Sequence, residues 1–370
     1  MLDQNFMNNL TPVEVEFISA CISKVYKQKV TSETQNFENL EGAVCECPNC
    51  HSKHFIKYGH IRSNGNQRYL CKNCGASFSA STNTFFSHCR SSYETWAEFI
   101  ACELNDDTLR QEALHTQRSV STCFNMRHML HDAASRRTSD QLHGLVEIDA
   151  TYSPINLKGT KEKNMPRISK PRGKHKSSSL NKELRGISHH KVCIISAIDE
   201  SDNMFFKIAG LGPESLEMYE KFADHFGKDI TLVSDDKPAI LNFADNHKFV
   251  KDTIPVIATK DTYTTPNGNS LAEINELHRE YKDFVRKKHG ISIRHTQGYL
   301  DWLVFKKQIS YSYELRKQKS MSYMKIMTER SKLRCDDICK QELPIDLRTA
   351  YEEYHYGIFA ETNSDTGTNT

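Results

Sequence analysis

Leu145-Val146-Glu147-Ile148-Asp149-Ala150-Thr151-Tyr152 is the stretch on which the fold turns. It reads as an apolar strand ending in an acid, Asp149. Beyond a polar insertion, Lys191-Val192-Cys193-Ile194-Ile195-Ser196-Ala197-Ile198-Asp199 predicts a second, buried strand. Met204 to Ile208 predicts a third that pairs with it. A helix around Glu214 to Phe226 follows, then a strand Asp229-Ile230-Thr231-Leu232-Val233-Ser234 that runs into Asp235-Asp236. Strand, strand, strand, helix, strand brings the acid of the first strand beside the acid at the end of the fourth. Either Asp alone is the ordinary residue of a strand end; the pairing in this order carries the weight.

That order is the order of an RNase H-like α/β fold. Two acids side by side at its sheet centre can hold two Mg2+ ions roughly 3.5 to 4 Å apart. The rest of the composition is that of a soluble globular chain: 370 residues, 38% hydrophobic and 26% charged, long enough for two or three domains. The longest apolar run, Val192 to Ile198, is far short of a membrane helix, and residues 1 to 30 show no signal-peptide pattern. Lys plus Arg number 49 against 47 for Asp plus Glu, so the net charge of +2 does not by itself announce a polyanion partner.

Twelve cysteines include two Cys-x-x-Cys pairs, Cys47-Pro48-Asn49-Cys50 and, after twenty residues, Cys71-Lys72-Asn73-Cys74 followed by Gly75. Each knuckle aims two thiolates at one ion, and two at the ends of a short hairpin complete a closed tetrahedral site for a structural Zn2+. Phe55 to His60 and Gln67 to Leu70 are the predicted strands, with the turn at Asn64-Gly65-Asn66. Asn49, Asn73 and Gly75 suit positive-φ positions. Cys45, His51 and His54 are competing ligands. Thiols used for metal rather than disulfides place the chain in a reducing cytoplasm. Cys335 and Cys339, with a three-residue gap and no partner pair, read as non-metal.

From Tyr93 to Arg137 helical periodicity with little Gly or Pro predicts three helices. The third, Val120 to Ala134, carries Ser121, Thr122, Asn125, Arg127 and His128, with Ser119 just before it, and suits a recognition helix in a helix-turn-helix. A plain helical bundle with a solvated face is the competing reading.

The chain resembles insertion-sequence transposases of the DDE superfamily, in the ISXO2-like branch that places a zinc ribbon before an RNase H-like domain. The matching residues are Cys47, Cys50, Cys71 and Cys74; Val146-Glu147-Ile148-Asp149 with Thr151-Tyr152; Ser234-Asp235; Asn275 with Lys282; then His289-Gly290-Ile291 and Tyr299-Leu300-Asp301-Trp302. The likeness covers roughly residues 40 to 310. It implies that Asp149 and Asp235 hold the catalytic Mg2+ or Mn2+, that Asn275 stands where the family usually has Glu, and that Lys282, seven residues on, sits near the substrate phosphate. Asn275, His278 and Lys282 share one face of a helix predicted over Leu271 to Lys287. An Asn carbonyl is a hard-cation ligand without charge, and Glu273 and Glu276 are rival third ligands. The resemblance also implies double-stranded DNA as partner (the element's terminal repeats and the target), a homo-oligomer that pairs two ends, and no membrane.

Between Asn156 and Lys191 the sequence has eight Lys and three Arg against two Glu, a local charge of +9 in a Pro-, Gly- and Ser-rich stretch suited to DNA phosphates. The expected organisation is an N-terminal helical segment over 1–40 with a helix opening at Thr11-Pro12, a zinc ribbon over 41–88, a helical DNA-binding segment over 89–140, an RNase H-like domain over 141–310 interrupted by the basic insertion 156–191, and a helical extension with a polar tail over 311–370. The competing functional reading, kept open by Asn275, is a catalytically inactive DNA-binding protein or a structure-specific nuclease derived from a transposase.

Overall fold

The computed structural model describes residues 44–62, 67–83, 91–136, 138–158, 191–254, 264–311, 335–338 and 340–347. The expected N-terminal helix, the turn at Asn64-Gly65-Asn66, most of the basic insertion, and the segments 312–334 and 348–370 lie outside them. The described residues form two compact units divided between Ala133 and Ala134.

The first unit opens with a three-stranded antiparallel sheet, β1 (Phe55–His60), β2 (Gln67–Cys71) and β3 (Ser77–Phe78), in the order β1-β2-β3. Its core is small: the rings of Phe55, Tyr69 and Phe78 meet at centroid distances of 5.5 to 5.6 Å, with Cys47 and Cys71 buried beside them. So little apolar area cannot offset chain entropy unaided. Three helices follow where periodicity predicts them, α1 (Tyr93–Leu104), α2 (Leu109–Thr116) and α3 (Val120–Ala134). Their starts are written in the sequence: Ser92 caps α1, Thr108 and Gln111 form a reciprocal capping box on α2, and Ser119 Oγ accepts the Thr122 N–H at 3.1 Å as α3 begins.

The second unit is built on a mixed five-stranded sheet. Its strands are β4 (Leu142–Pro154), β5 (Lys191–Asp199), β6 (Met204–Leu211), β7 (Phe226–Asp235) and β8 (Val250–Ile254), in the spatial order β6-β5-β4-β7-β8. β4, β5 and β6 pair antiparallel; β7 and β8 continue parallel to β4. The β5–β6 turn is organised by Asp199, which accepts the Ser201 and Asn203 N–H groups at 2.8 and 2.9 Å. The helices are α4 (Leu216–Glu220), α5 (Pro238–His247), α6 (Ala272–Lys287), α7 (Ile293–Tyr311) and a short α8 (Cys335–Ile338).

Strand alternation decides which helix covers which face. Val146, Ile148 and Ala150 of β4, with Ile230 and Leu232 of β7, pack with Tyr219 of α4 and Ile240 and Phe243 of α5. Val233 of β7 packs on the other face with Ile274, Leu277 and Tyr281 of α6 and Leu300, Leu303 and Val304 of α7. Glu147, Asp149 and Asp235, in step with Val233, therefore belong to the α6 face.

The structure corrects several sequence expectations. The helix expected from Glu214 to Phe226 is only one short helix and a 3-10 turn (Ala223–His225), because β7 begins early: Phe226 is already extended opposite Leu142. Helix α5 and strand β8 were not anticipated, although Pro238 occupies the first turn that favours it. In the knuckles, positive φ falls at His51 (57°) and Gly75 (71°), not at Asn49 or Asn73. Among the described residues, no helix is long and apolar enough to cross a membrane.

Candidate functional site

The parallel pairing of β4 with β7 has Glu147 opposite Val233, so Asp149 and Asp235, each two residues on, emerge on the same face of neighbouring strands. A lysine joins them. Lys237, two residues past Asp235, turns its Nζ to 2.8 Å from Asp235 Oδ2, 3.3 Å from Asp149 Oδ1 and 2.7 Å from Glu214 Oε1. Glu214 lies just after β6; its N–H donates to the Tyr152 hydroxyl at 3.2 Å, and its carboxylate accepts from the Tyr219 hydroxyl. Three carboxylates thus surround one ammonium.

Burial pushes the carboxyls of Asp149 and Asp235 above the usual Asp range, although the ammonium pulls both back. For Lys237, burial works against the charge, but Asp149, Asp235 and Glu214 outweigh it and raise the lysine above its ordinary value. The cluster is a desolvated acid group gathered around one cation.

Helix α6 brings the third side to the site. Its N-cap, Leu271, supplies no side-chain cap; instead Glu147 Oε2 accepts the Ile274 N–H at 3.0 Å, so the acid two residues before Asp149 caps the helix from the sheet. One turn on, His278 Nδ1 lies 3.8 Å from Asp149 Oδ2, and its Nε2 is 2.6 Å from the hydroxyl of Ser196, which also donates to the Asp149 carbonyl at 3.1 Å. Burial first, then Lys282 and Lys237, lowers His278 to about 4, so its ring is neutral at pH 7. Asn275 and Lys282 are exposed on the flank of α6 beside His278. The structure therefore brings Asp149 and Asp235 together through Lys237, while the side chain of α6 that meets Asp149 is His278. The rival Glu276 is engaged by Arg279 on the solvent side, and Glu273 is exposed. Asp301 and Trp302 serve the fold: Asp301 pairs with Lys207 of β6 at 3.1 Å, and Trp302 is fully buried.

Lys237, Glu214, His278 and Glu147 were not assigned roles from sequence. His278 carried a signal in its three-residue spacing from Asn275, and Glu147 in its place within the run Val146-Glu147-Ile148-Asp149.

The four cysteines converge as their spacing predicts. Sγ atoms of Cys47 and Cys74 lie 3.7 Å apart and those of Cys50 and Cys71 3.6 Å, and all four lie within 4.8 Å of one another. Sulfurs on a tetrahedron with arms of about 2.3 Å are separated by about 3.8 Å, whereas a disulfide needs about 2.05 Å. These distances fit a shared ion and not a disulfide. A backbone N–H at Ala76, then the Asn49 amide, lowers the Cys74 thiol to about 6, which favours the thiolate. Cys45 is outside the group, and His51 is paired with Glu46 at 2.8 Å. Among His, Cys, Asp and Glu of the described residues, this is the one group of three or more close enough as it stands to share an ion.

The expected recognition helix is corrected in part. Arg127 and His128 of α3, among the polar residues that suit a recognition helix, are buried. The Arg127 guanidinium is bound by the carboxylates of Glu103 and Glu112 and donates to the Asp107 carbonyl at 3.0 Å, tying α1, α2 and α3 together. Ser119 is a cap, and Ser121 stays exposed. A buried arginine with two acids reads like a basic contact in sequence, because its partners lie 24 and 15 residues away.

No protein-family model matches the chain. Over 123 residues, 32% of this chain, it is 34% identical to an "uncharacterized protein in transposable element ISH50" of Halobacterium salinarum, and the match spans only 40% of that relative's length. Among solved structures, a pre-cleavage Mos1 transpososome aligns with 67% of this chain and 82% of its own at 14% identity and a TM-score of 0.24. A Mos1 mariner paired end complex with Mn aligns with 66% and 80% at 13% identity and a TM-score of 0.18. Scores this low carry no argument about the fold, which rests on the strand order and pairing given above. What the comparisons establish is a partial sequence similarity to a protein carried by a transposable element.

Proposed function

We propose that this protein is a DNA transposase of the DDE type, cutting and joining DNA with Mg2+ or Mn2+ bound at Asp149 and Asp235. The observation that carries the reading is the convergence of these two acids, from adjacent parallel strands, on a single cation, the Lys237 ammonium. A strand order of third, second, first, fourth, fifth, with the first three antiparallel, agrees with an RNase H-like domain. The similarity to the ISH50 protein agrees with an origin in a mobile element.

The residues suit hard divalent cations. Carboxylate oxygens dominate, and the Asn275 amide and Lys282 stand on the adjacent flank of α6. Bound there, such ions supply a more acidic water or DNA 3'-hydroxyl as nucleophile and stabilise the leaving oxygen of the phosphodiester. The chain's own part is positional. Asp149 and Asp235 are fixed by their strands, Glu147 holds α6 at its N-terminus, and neutral His278, braced by Ser196, packs against Asp149 without adding positive charge. Lys282 is the point charge for a phosphate. Asn275 completes the ligand set through its carbonyl, at lower affinity than a Glu would give.

Cys47, Cys50, Cys71 and Cys74 hold a structural Zn2+; with all four positions taken by sulfur, such an ion has none left for a substrate. The helical unit and the basic stretch 156–191 engage double-stranded DNA, the terminal repeats and the target, and two copies pair two ends. The test is nicking of supercoiled plasmid with Mg2+ or Mn2+, followed by strand transfer with the inverted repeats that flank the gene. Metal-dependent nicking lost in Asp149→Ala and Asp235→Ala, together with end joining, supports the reading. Specific DNA binding without nicking would make the protein a regulator, and nicking without joining a nuclease.

A further inference from the structure

Lys237 stands where helix chemistry does not want it. It is the N-cap of α5 and makes no side-chain cap, at a position that favours Ser, Thr, Asp or Asn and at the positive end of a helix. What holds its ammonium there is the carboxylate cluster, and the three contacts differ. The longest, 3.3 Å, is to Asp149 on the sheet; the shortest, 2.7 Å, is to Glu214, whose side chain is 6% exposed and fixed by the Tyr219 hydroxyl. Lys237 itself keeps 33% of its side chain in solvent, and a flexible four-carbon stem lets it leave the aspartates without leaving Glu214.

We propose that Lys237 is an internal counter-ion occupying the place of the divalent cation at Asp149 and Asp235, and that Glu214 is the berth to which it withdraws when the cation enters. The proposal rests on the metal-dependent reading above. Cation entry is then an exchange: the two aspartates trade an ammonium for the ion, and the displaced charge stays beside the site, where a DNA phosphate arrives. Lys237 thereby sets the cation concentration at which the site fills.

The experiment is titration of Mn2+ into the zinc-loaded full chain, with free Mn2+ followed by electron paramagnetic resonance and folding of each variant checked by circular dichroism. Removing the competitor in Lys237→Met tightens Mn2+ binding on the order of tenfold. Lys237→Gln serves as the second variant if the first does not fold. Glu214→Gln leaves the lysine no berth and weakens binding several-fold, but has no effect once Lys237 is already Met, a coupling that a double-mutant cycle reads directly. Unchanged or weaker binding in Lys237→Met overturns the proposal. So does weakening by Glu214→Gln in the Lys237→Met background, which would make Glu214 a ligand. A different failure marks the underlying reading: if Asp149→Asn binds Mn2+ as wild type does, no cation sits at Asp149 and both ideas fall.

Discussion

Truncating Glu147 to Ala should loosen α6 from the sheet. The Glu147 carboxylate accepts the Ile274 N–H at 3.0 Å, and α6 has no side-chain cap of its own at Leu271. Loss of an N-terminal cap costs about 0.5 to 2 kcal/mol, so Glu147→Ala should cost about 1 to 2 kcal/mol. That corresponds to a fall in melting temperature of roughly 2 to 8 °C for a unit of this size. Burial raises the Glu147 carboxyl above its ordinary value even though the Ile274 N–H pulls it back, so the fold tolerates the acceptor more readily than the charge. The isostere Glu147→Gln, which keeps an oxygen in place without a charge to desolvate, should therefore stay within about 0.5 kcal/mol of wild type or exceed it. Urea unfolding gives the energies, and hydrogen exchange at the Ile274 amide gives the location: faster in Ala, near wild type in Gln. If Gln were as damaging as Ala, the charge and not the hydrogen bond would hold the helix. If Ala were silent, the cap would contribute nothing and the placement of His278 beside Asp149 would need another cause.

Other outcomes follow from the same geometry. Metal analysis of the purified protein should find one zinc per chain, and Cys71→Ser or a strong chelator should release it and unfold residues 44–83, read as loss of the Tyr69 and Phe78 ring shifts by NMR. Arg127→Met should cost about 3 to 5 kcal/mol, because it removes the guanidinium shared by buried Glu103 and Glu112. Helicity and DNA binding should then fall together; a folded variant that loses DNA binding alone would return Arg127 to the interface. For His278, a base whose folded value is lowered to about 4 from 6.5, the unfolded chain takes up the proton first as pH falls. Its contribution is complete above about pH 6.5 and lost towards pH 4, worth about 3 kcal/mol at most. Unfolding of the protein without divalent cation, compared with His278→Gln between pH 7 and 4, should show that slope only in wild type.

What the sequence made legible and what it hid divide along one physical line. Strand order, the convergence of Asp149 with Asp235, and the four-cysteine group depend on local period and on spacings that backbone geometry enforces, and they could be read in advance. Helices α1 to α3 were equally plain, since Ser92 and Thr108 announce their starts within three residues. Arg127 was misread because its exposure is decided by acids far along the chain. The partners of the acid pair were hidden for the same reason: Glu214 meets Lys237 only because the β5–β6 hairpin returns the chain to the same end of the sheet, and Lys237 meets the aspartates only because β7 stops at Asp235 and α5 starts at Pro238. Glu147 is the sharpest case. In sequence it is only the neighbour of Asp149 in the matched run Val146-Glu147-Ile148-Asp149; in the fold it caps the helix that carries His278, Asn275 and Lys282. A motif of spaced acids therefore marks where the acids converge. It does not reveal the groups packed around them, and for this chain those groups are Glu147, Glu214, Lys237 and His278.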